Sequence, residues 1–127
     1  MRKIKTEVQQ YMTGLTSEGQ TLTSRFMFPE EFIGFQGHFP GKKVLPGVCH
    51  IQCALTTLET ANKKPVVLRE IMLAKYLAPV APGEELICVC SDIQAKDDEF
   101  VVKAVLSRNG AKVSELKLRF LFAEDKV

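Results

Sequence analysis

Phe35-Gln36-Gly37-His38-Phe39-Pro40-Gly41, followed by Lys42-Lys43-Val44-Leu45-Pro46-Gly47-Val48, is the stretch on which the reading of this chain turns. A histidine sits in a loop rich in glycine and proline, residues that permit or fix tight turns that others resist. Eight positions after His38, Pro46-Gly47 opens an apolar run in which Val48, Ile51, Leu55 and Leu58 recur at helical spacing. Pro46 presets φ at the threshold of that helix, which the pattern places from Gly47 to Asn62. Gln52 falls fourteen positions after His38, on the first turns of the same helix. An imidazole, a helix N-terminus and a polar helical side chain are therefore local to one another. That makes a candidate site.

Upstream, residues 1–6 carry Arg2, Lys3 and Lys5 with little apolar patterning, and read as a loose arm or the start of an edge strand. Residues 7–15 read as a first strand, and Ser17-Glu18-Gly19 as a turn. Leu22, Ser24, Phe26 and Phe28 then alternate with Thr21, Thr23, Arg25 and Met27, so the two segments are expected to form a hairpin. Downstream of the helix the apolar period changes to that of strands. Residues 66–80 suggest a bent strand, Ala81-Pro82-Gly83 turns it, and residues 84–93 follow. Asp97-Asp98 leads into Phe100, Val102, Ala104 and Leu106 on one face, and Asn109-Gly110 is a type I′ hairpin signal. In the last strand Leu116, Leu118, Phe120 and Phe122 point inward while Glu115, Lys117 and Arg119 point outward. An antiparallel sheet with one apolar face needs a cover, and a single long helix provides it. The pattern predicts an α+β fold: five or six antiparallel strands and one long helix, in a single domain over residues 1–127.

His38-Phe39-Pro40-Gly41 with Pro46-Gly47-Val48 resembles the signature of the hot-dog-fold 3-hydroxyacyl-acyl-carrier-protein dehydratases of fatty acid synthesis. Tyr76-Leu77-Ala78-Pro79-Val80-Ala81-Pro82-Gly83-Glu84-Glu85-Leu86 resembles the same family's strand–turn–strand after the central helix, and the two similarities cover roughly residues 7–123. The resemblance implies a hot-dog fold, a sheet wrapped around the helix. It also implies pairing through edge strands into a homodimer, or an assembly of dimers, with two shared sites. The implied substrate is a 3-hydroxyacyl chain on acyl carrier protein, and no cofactor is implied. Carried over by position, His38 matches the family's base, the Gly47 N–H its oxyanion donor, and Gln52 the helix carboxylate that handles the leaving hydroxyl. The last match is a departure, because an amide hydrogen-bonds but transfers no proton. His50 points to nearly the opposite side of the helix from Gln52 and is a poor replacement. It is expected at the surface or at an interface. Glu59 shares the Gln52 face but lies about 10 Å further along the axis.

Composition narrows the classes. With 46% apolar and 25% charged residues, the 127-residue chain has the make-up of a soluble globular protein. It contains no apolar run near eighteen residues, so no membrane span is expected, and with no signal-peptide pattern a cytoplasmic location is expected. A net charge of +2 is too small to argue for nucleic acid. Lys42-Lys43 and Lys63-Lys64 read as solvated pairs that can also meet an acidic carrier protein. Cys49 and Cys53 share a helix face, and Cys88 and Cys90 a strand face. Neither spacing is Cys-x-x-Cys, so core packing is expected rather than a zinc site. The expected function is a weak or specialised dehydratase-like lyase. The alternatives are a non-catalytic acyl-binding or partner subunit that supplies His38 to a mixed dimer, and a hot-dog acyl thioesterase.

Overall fold

The central helix α2 runs Gly47–Asn62 and carries no Asp, Glu, Lys or Arg before Glu59. A helix without a charged face has to be buried on most sides. Cys49, His50, Ile51, Cys53, Ala54, Thr56, Thr57 and Leu58 are all buried. The chain is described by a computed structural model that covers residues 2–36 and 42–123, so His38 and the rest of residues 37–41 lie outside the described residues. Six strands enclose the helix: β1 Met12–Glu18, β2 Thr21–Met27, β3 Val66–Tyr76, β4 Glu85–Lys96, β5 Glu99–Arg108 and β6 Ala111–Phe122. They form one antiparallel sheet in the order β1-β2-β4-β5-β6-β3. This is the hot-dog arrangement expected, with six strands.

Cross-strand register shows how the helix is seated. Ser24 lies opposite Cys88, Cys88 opposite Leu106, and Leu106 opposite Ser114, so one row crosses β2, β4, β5 and β6 on the inner face. Both ends of that row hold α2. Ser24 Oγ lies 2.6 Å from Thr57 Oγ1, which also bonds the Cys53 carbonyl at 2.7 Å. At the other end His50 Nδ1 lies 2.8 Å from Ser114 Oγ. Seven helical residues span about 10 Å and three strand spacings about 14 Å, so the helix runs along the row and not across it. At the Ser24 end the side chains are small, with Cys53 and Thr57 meeting Cys88, and Leu106 fills the row toward Ser114. Larger core residues fill the flanks: Phe26, Leu86, Val102, Leu118 and Phe120.

Two sequence expectations fail at the N-terminus. Residues 2–6 are neither a loose arm nor a strand, and of residues 7–15 only 12–15 belong to the first strand; Arg2–Gln10 forms a helix, α1, and β1 starts at Met12. The apolar stripe of α1 is only Ile4 and Val8, one turn apart, too short to register as a period. Val8 is nevertheless fully buried, Lys5 Nζ reaches Glu59 Oε2 at 3.0 Å, and Glu7 Oε1 accepts from the Ile33 N–H at 3.2 Å. Tertiary contact therefore holds a helix of low intrinsic promise. Elsewhere the elements stand near their expected places. The strand expected over residues 66–80 is bent by register shifts at Leu68/Glu70 and Ile71/Leu73 but ends at Tyr76. Asn109 and Gly110 take φ of 51° and 81°, as a type I′ turn requires.

All four cysteines are free and buried. Burial pushes the Cys49 thiol up to about 12 and raises Cys53 as well, which keeps both as thiols. Among the described residues no group of three or more His, Cys, Asp or Glu is placed to hold a metal. Iodoacetamide at neutral pH should therefore leave the folded chain unlabelled and modify all four cysteines after denaturation, as read by intact mass. A chelator should leave the melting temperature unchanged. Labelling of the native chain, or stoichiometric zinc by elemental analysis, would contradict thiols used as core filler.

Candidate active site at the start of the central helix

Three elements converge where α2 begins. The incoming segment is pinned by the Leu45 N–H, which donates to the Val80 carbonyl at 2.8 Å. Pro46 occupies the N-cap position with φ −65° and ψ 152°, and no side chain caps the helix there. An uncapped helix start presents backbone N–H groups and the positive end of the dipole, both suited to an oxygen that gathers negative charge. Tyr76, the last residue of β3, lies against this turn. Its hydroxyl donates to the Gly47 carbonyl at 3.1 Å. A Cβ at Gly47 would fall 2.7 Å from Tyr76 Cζ, so a larger residue would displace the tyrosine and break that bond.

Gln52 stands on the second turn, half buried, with Nε2 donating to Thr56 Oγ1 at 3.0 Å. It shares a helix face with Val48, Leu55 and Glu59. That face is the least covered part of α2: Val48 is 39% exposed, while Gln52, Leu55 and Glu59 are half buried. Of the apolar residues at helical spacing, Ile51 and Leu58 are buried, but Val48 is exposed and Leu55 is only half buried. The core takes Cys49, Cys53 and Ala54 in their place, because small residues fit where helix and sheet approach. Glu59 does not serve this end of the helix. Its carboxylate bonds Lys5 Nζ and accepts from the Val66 N–H at 2.7 Å. The expected neighbour of Gln52, His38, lies outside the described residues.

His50 reverses its expectation. It is neither surface nor interface within the chain, being only 2% exposed. One ring nitrogen meets Ser114 of β6, and the ring stands edge-on to Tyr76 with centroids 5.2 Å apart at 80°. Burial pushes its pKa down from 6.5 to about 4, opposed in part by a hydrogen bond with the Leu45 backbone. The signal was present in the sequence, since a helix with no charge for twelve residues has few faces left for solvent. Tyr76 and Ser114 were not singled out because their partners lie 29 and 64 positions away.

The depressed pKa of His50 sets a direction for acid stability. Near pH 6.5 the unfolded chain takes up a proton that the folded chain accepts only near pH 4, so between these values stability falls as pH falls. The group accounts for a loss on the order of 3 kcal/mol across that window. Urea unfolding of the parent should weaken more steeply from pH 6.5 to 4 than that of a His50→Gln variant. Parallel profiles would show that His50 titrates alike in both states.

Comparison with known proteins bears on the family and the fold. Residues 14–116 match the ApeI-like family, described as ApeI dehydratase. The 3-hydroxyacyl-[acyl-carrier-protein] dehydratase FabZ of Enterococcus faecalis is 34% identical over 94 residues, covering 68% of this chain and 67% of that protein. FabZ of Clostridium acetobutylicum is 30% identical over the same length and with the same shares. Among solved structures, the dehydratase heterocomplex ApeI:P from Xenorhabdus doucetiae superposes with a TM-score of 0.74 at 19% identity, over 87% of this chain and 96% of that one. At that identity the likeness speaks for the hot-dog fold. The match over most of the chain, with the FabZ relatives beside it, places this protein in the ApeI-like dehydratase family.

Proposed function

We propose that this chain is a dehydratase-like lyase acting on 3-hydroxyacyl thioesters carried by acyl carrier protein. The observation that carries the reading is the bare start of α2 at Gly47, in a chain of a dehydratase family. In this scheme His38 takes the proton from the carbon beside the thioester carbonyl. The Gly47 N–H, with the helix dipole behind it, stabilises the enolate oxygen. Gln52 holds the 3-hydroxyl in line by hydrogen bonding. With no acid at that position, the proton gained by His38 is the one that departs with the hydroxyl as water. Lys42 and Lys43 are placed in sequence to meet an acidic carrier, although Lys43 also reaches Glu30. No helix in the described residues is long and apolar enough to cross a membrane, and four free thiols suit a cytoplasmic setting.

The active form is proposed to be a homodimer. Edge strand β3 offers unpaired backbone groups and exposes Ile71 at 47%, with Leu77 just past its end at 55%, and the Gln52 face of α2 is half covered. A second copy covers both at once. Sedimentation at micromolar concentration should give a dimer; a clean monomer would remove the shared site. A second reading is favoured by one residue. Gln52 in place of a carboxylate fits a subunit that lends His38 to a mixed dimer, and the neighbouring ApeI:P structure is itself a heterocomplex.

Substituting position 52 separates these readings. Gln52→Glu is nearly isosteric and adds a proton donor, so dehydration should rise by up to about 10²–10⁴. His38→Ala in the same background should abolish the gain. Products from 3-hydroxyacyl carrier proteins of several lengths are followed by mass spectrometry. Free acid in place of the dehydrated product would point to thioester hydrolysis. A folded Gln52→Glu variant with no product from any substrate would end the lyase reading and leave the subunit role.

A further inference from the structure

The buried imidazole at the start of α2 has no part in the proton transfers above, yet it touches the segment before the helix, β6 and the end of β3. We propose that His50 is a positioning residue: by joining the Leu45 backbone, Ser114 of β6 and the ring of Tyr76 to the first turn of α2, it fixes the direction of the Gly47 N–H. Helical side chains lean toward the N-terminus, which lays the His50 ring alongside the turn that begins with Gly47. Its Nδ1 is 2.8 Å from Ser114 Oγ, and its edge meets Tyr76 at 5.2 Å between centroids. Tyr76 in turn occupies the space of a Gly47 Cβ and donates to the Gly47 carbonyl at 3.1 Å.

No side-chain cap holds this turn. Pro46 supplies no cap, so the orientation of the first peptide units depends on contacts from outside the helix. A neutral imidazole has one donor and one acceptor, and the Leu45 backbone and Ser114 occupy both. Burial keeps the ring neutral down to about pH 4, so the arrangement persists wherever the enzyme would work. An apolar replacement would orphan Ser114 in the core, and a charged one would have no counter-ion there. The consequence is functional because an oxyanion donor acts by preorganised direction, and a misplacement of about 1 Å can cost 10²-fold in rate.

The kinetic arm of the test rests on the lyase reading; a second arm does not. Residual dipolar coupling of the Gly47 N–H in isotopically labelled protein reads the direction of that bond against the sheet. His50→Phe keeps a ring and removes both nitrogens. It should change the Gly47 coupling while those of β5 stay fixed, and lower kcat by about 10- to 100-fold with KM within about twofold. His50→Gln, which keeps a donor and an acceptor, should recover part of both. Should His50→Phe fail to fold, Tyr76→Phe at a half-exposed site removes the bond to Gly47 and should give smaller changes in the same direction. An unmoved Gly47 coupling in a folded variant would overturn the proposal, as would a rise in KM with kcat unchanged. If neither the parent nor Gln52→Glu turns over any substrate, the lyase reading fails, and the coupling alone decides the positioning role.

Discussion

The close approach of α2 to the sheet is the constraint on which the rest depends. A helix with no charged residue for three turns cannot be left in water, and a sheet with one apolar face cannot either. Each solves the other's problem only if the contact side is small. Cysteine, serine and threonine meet there, with two hydroxyl tethers, Ser24 to Thr57 and Ser114 to His50, fixing where along the row the helix lies. Buried hydroxyls are costly unless paired, so these tethers specify one seating and disfavour a slide. Among the described residues no buried side-chain polar atom lacks a partner.

That seating decides what the helix start can offer. β6 and the end of β3 meet its first turn, Ser114 at His50 and Tyr76 at the Gly47 carbonyl, both residues far along the chain. The Gln52 face, with Val48, Leu55 and Glu59, is the least covered part of the helix. At this end of the protein the helix start carries no side-chain cap, and position 52 carries an amide.

Much of the fold was legible because strands write a period of two into the sequence. Leu22, Ser24 and Phe26 in β2, and Leu116, Leu118 and Phe120 in β6, alternate inward as read. The left-handed pair Asn109-Gly110 announced its own turn. The first helix was not legible, since two apolar residues one turn apart do not make a period and its stability comes from Glu59 and the core. The assignment of His50 to a surface failed for a related reason. Charge patterning reports which helix face meets solvent only when charges exist, and α2 has almost none.

By itself, then, the sequence determined the succession of strands and the central helix, the Pro-Gly start of that helix, and the residue types of the His38 motif and of position 52. These are local properties: spacing, turn chemistry and residue type act within a few positions. Tertiary structure alone decided that Ser114 would meet His50 and that Tyr76 would lie on Gly47. Such pairings depend on which row of a six-stranded sheet the helix settles upon. That row is chosen by packing volume summed over the whole inner face, a quantity no short stretch of sequence contains.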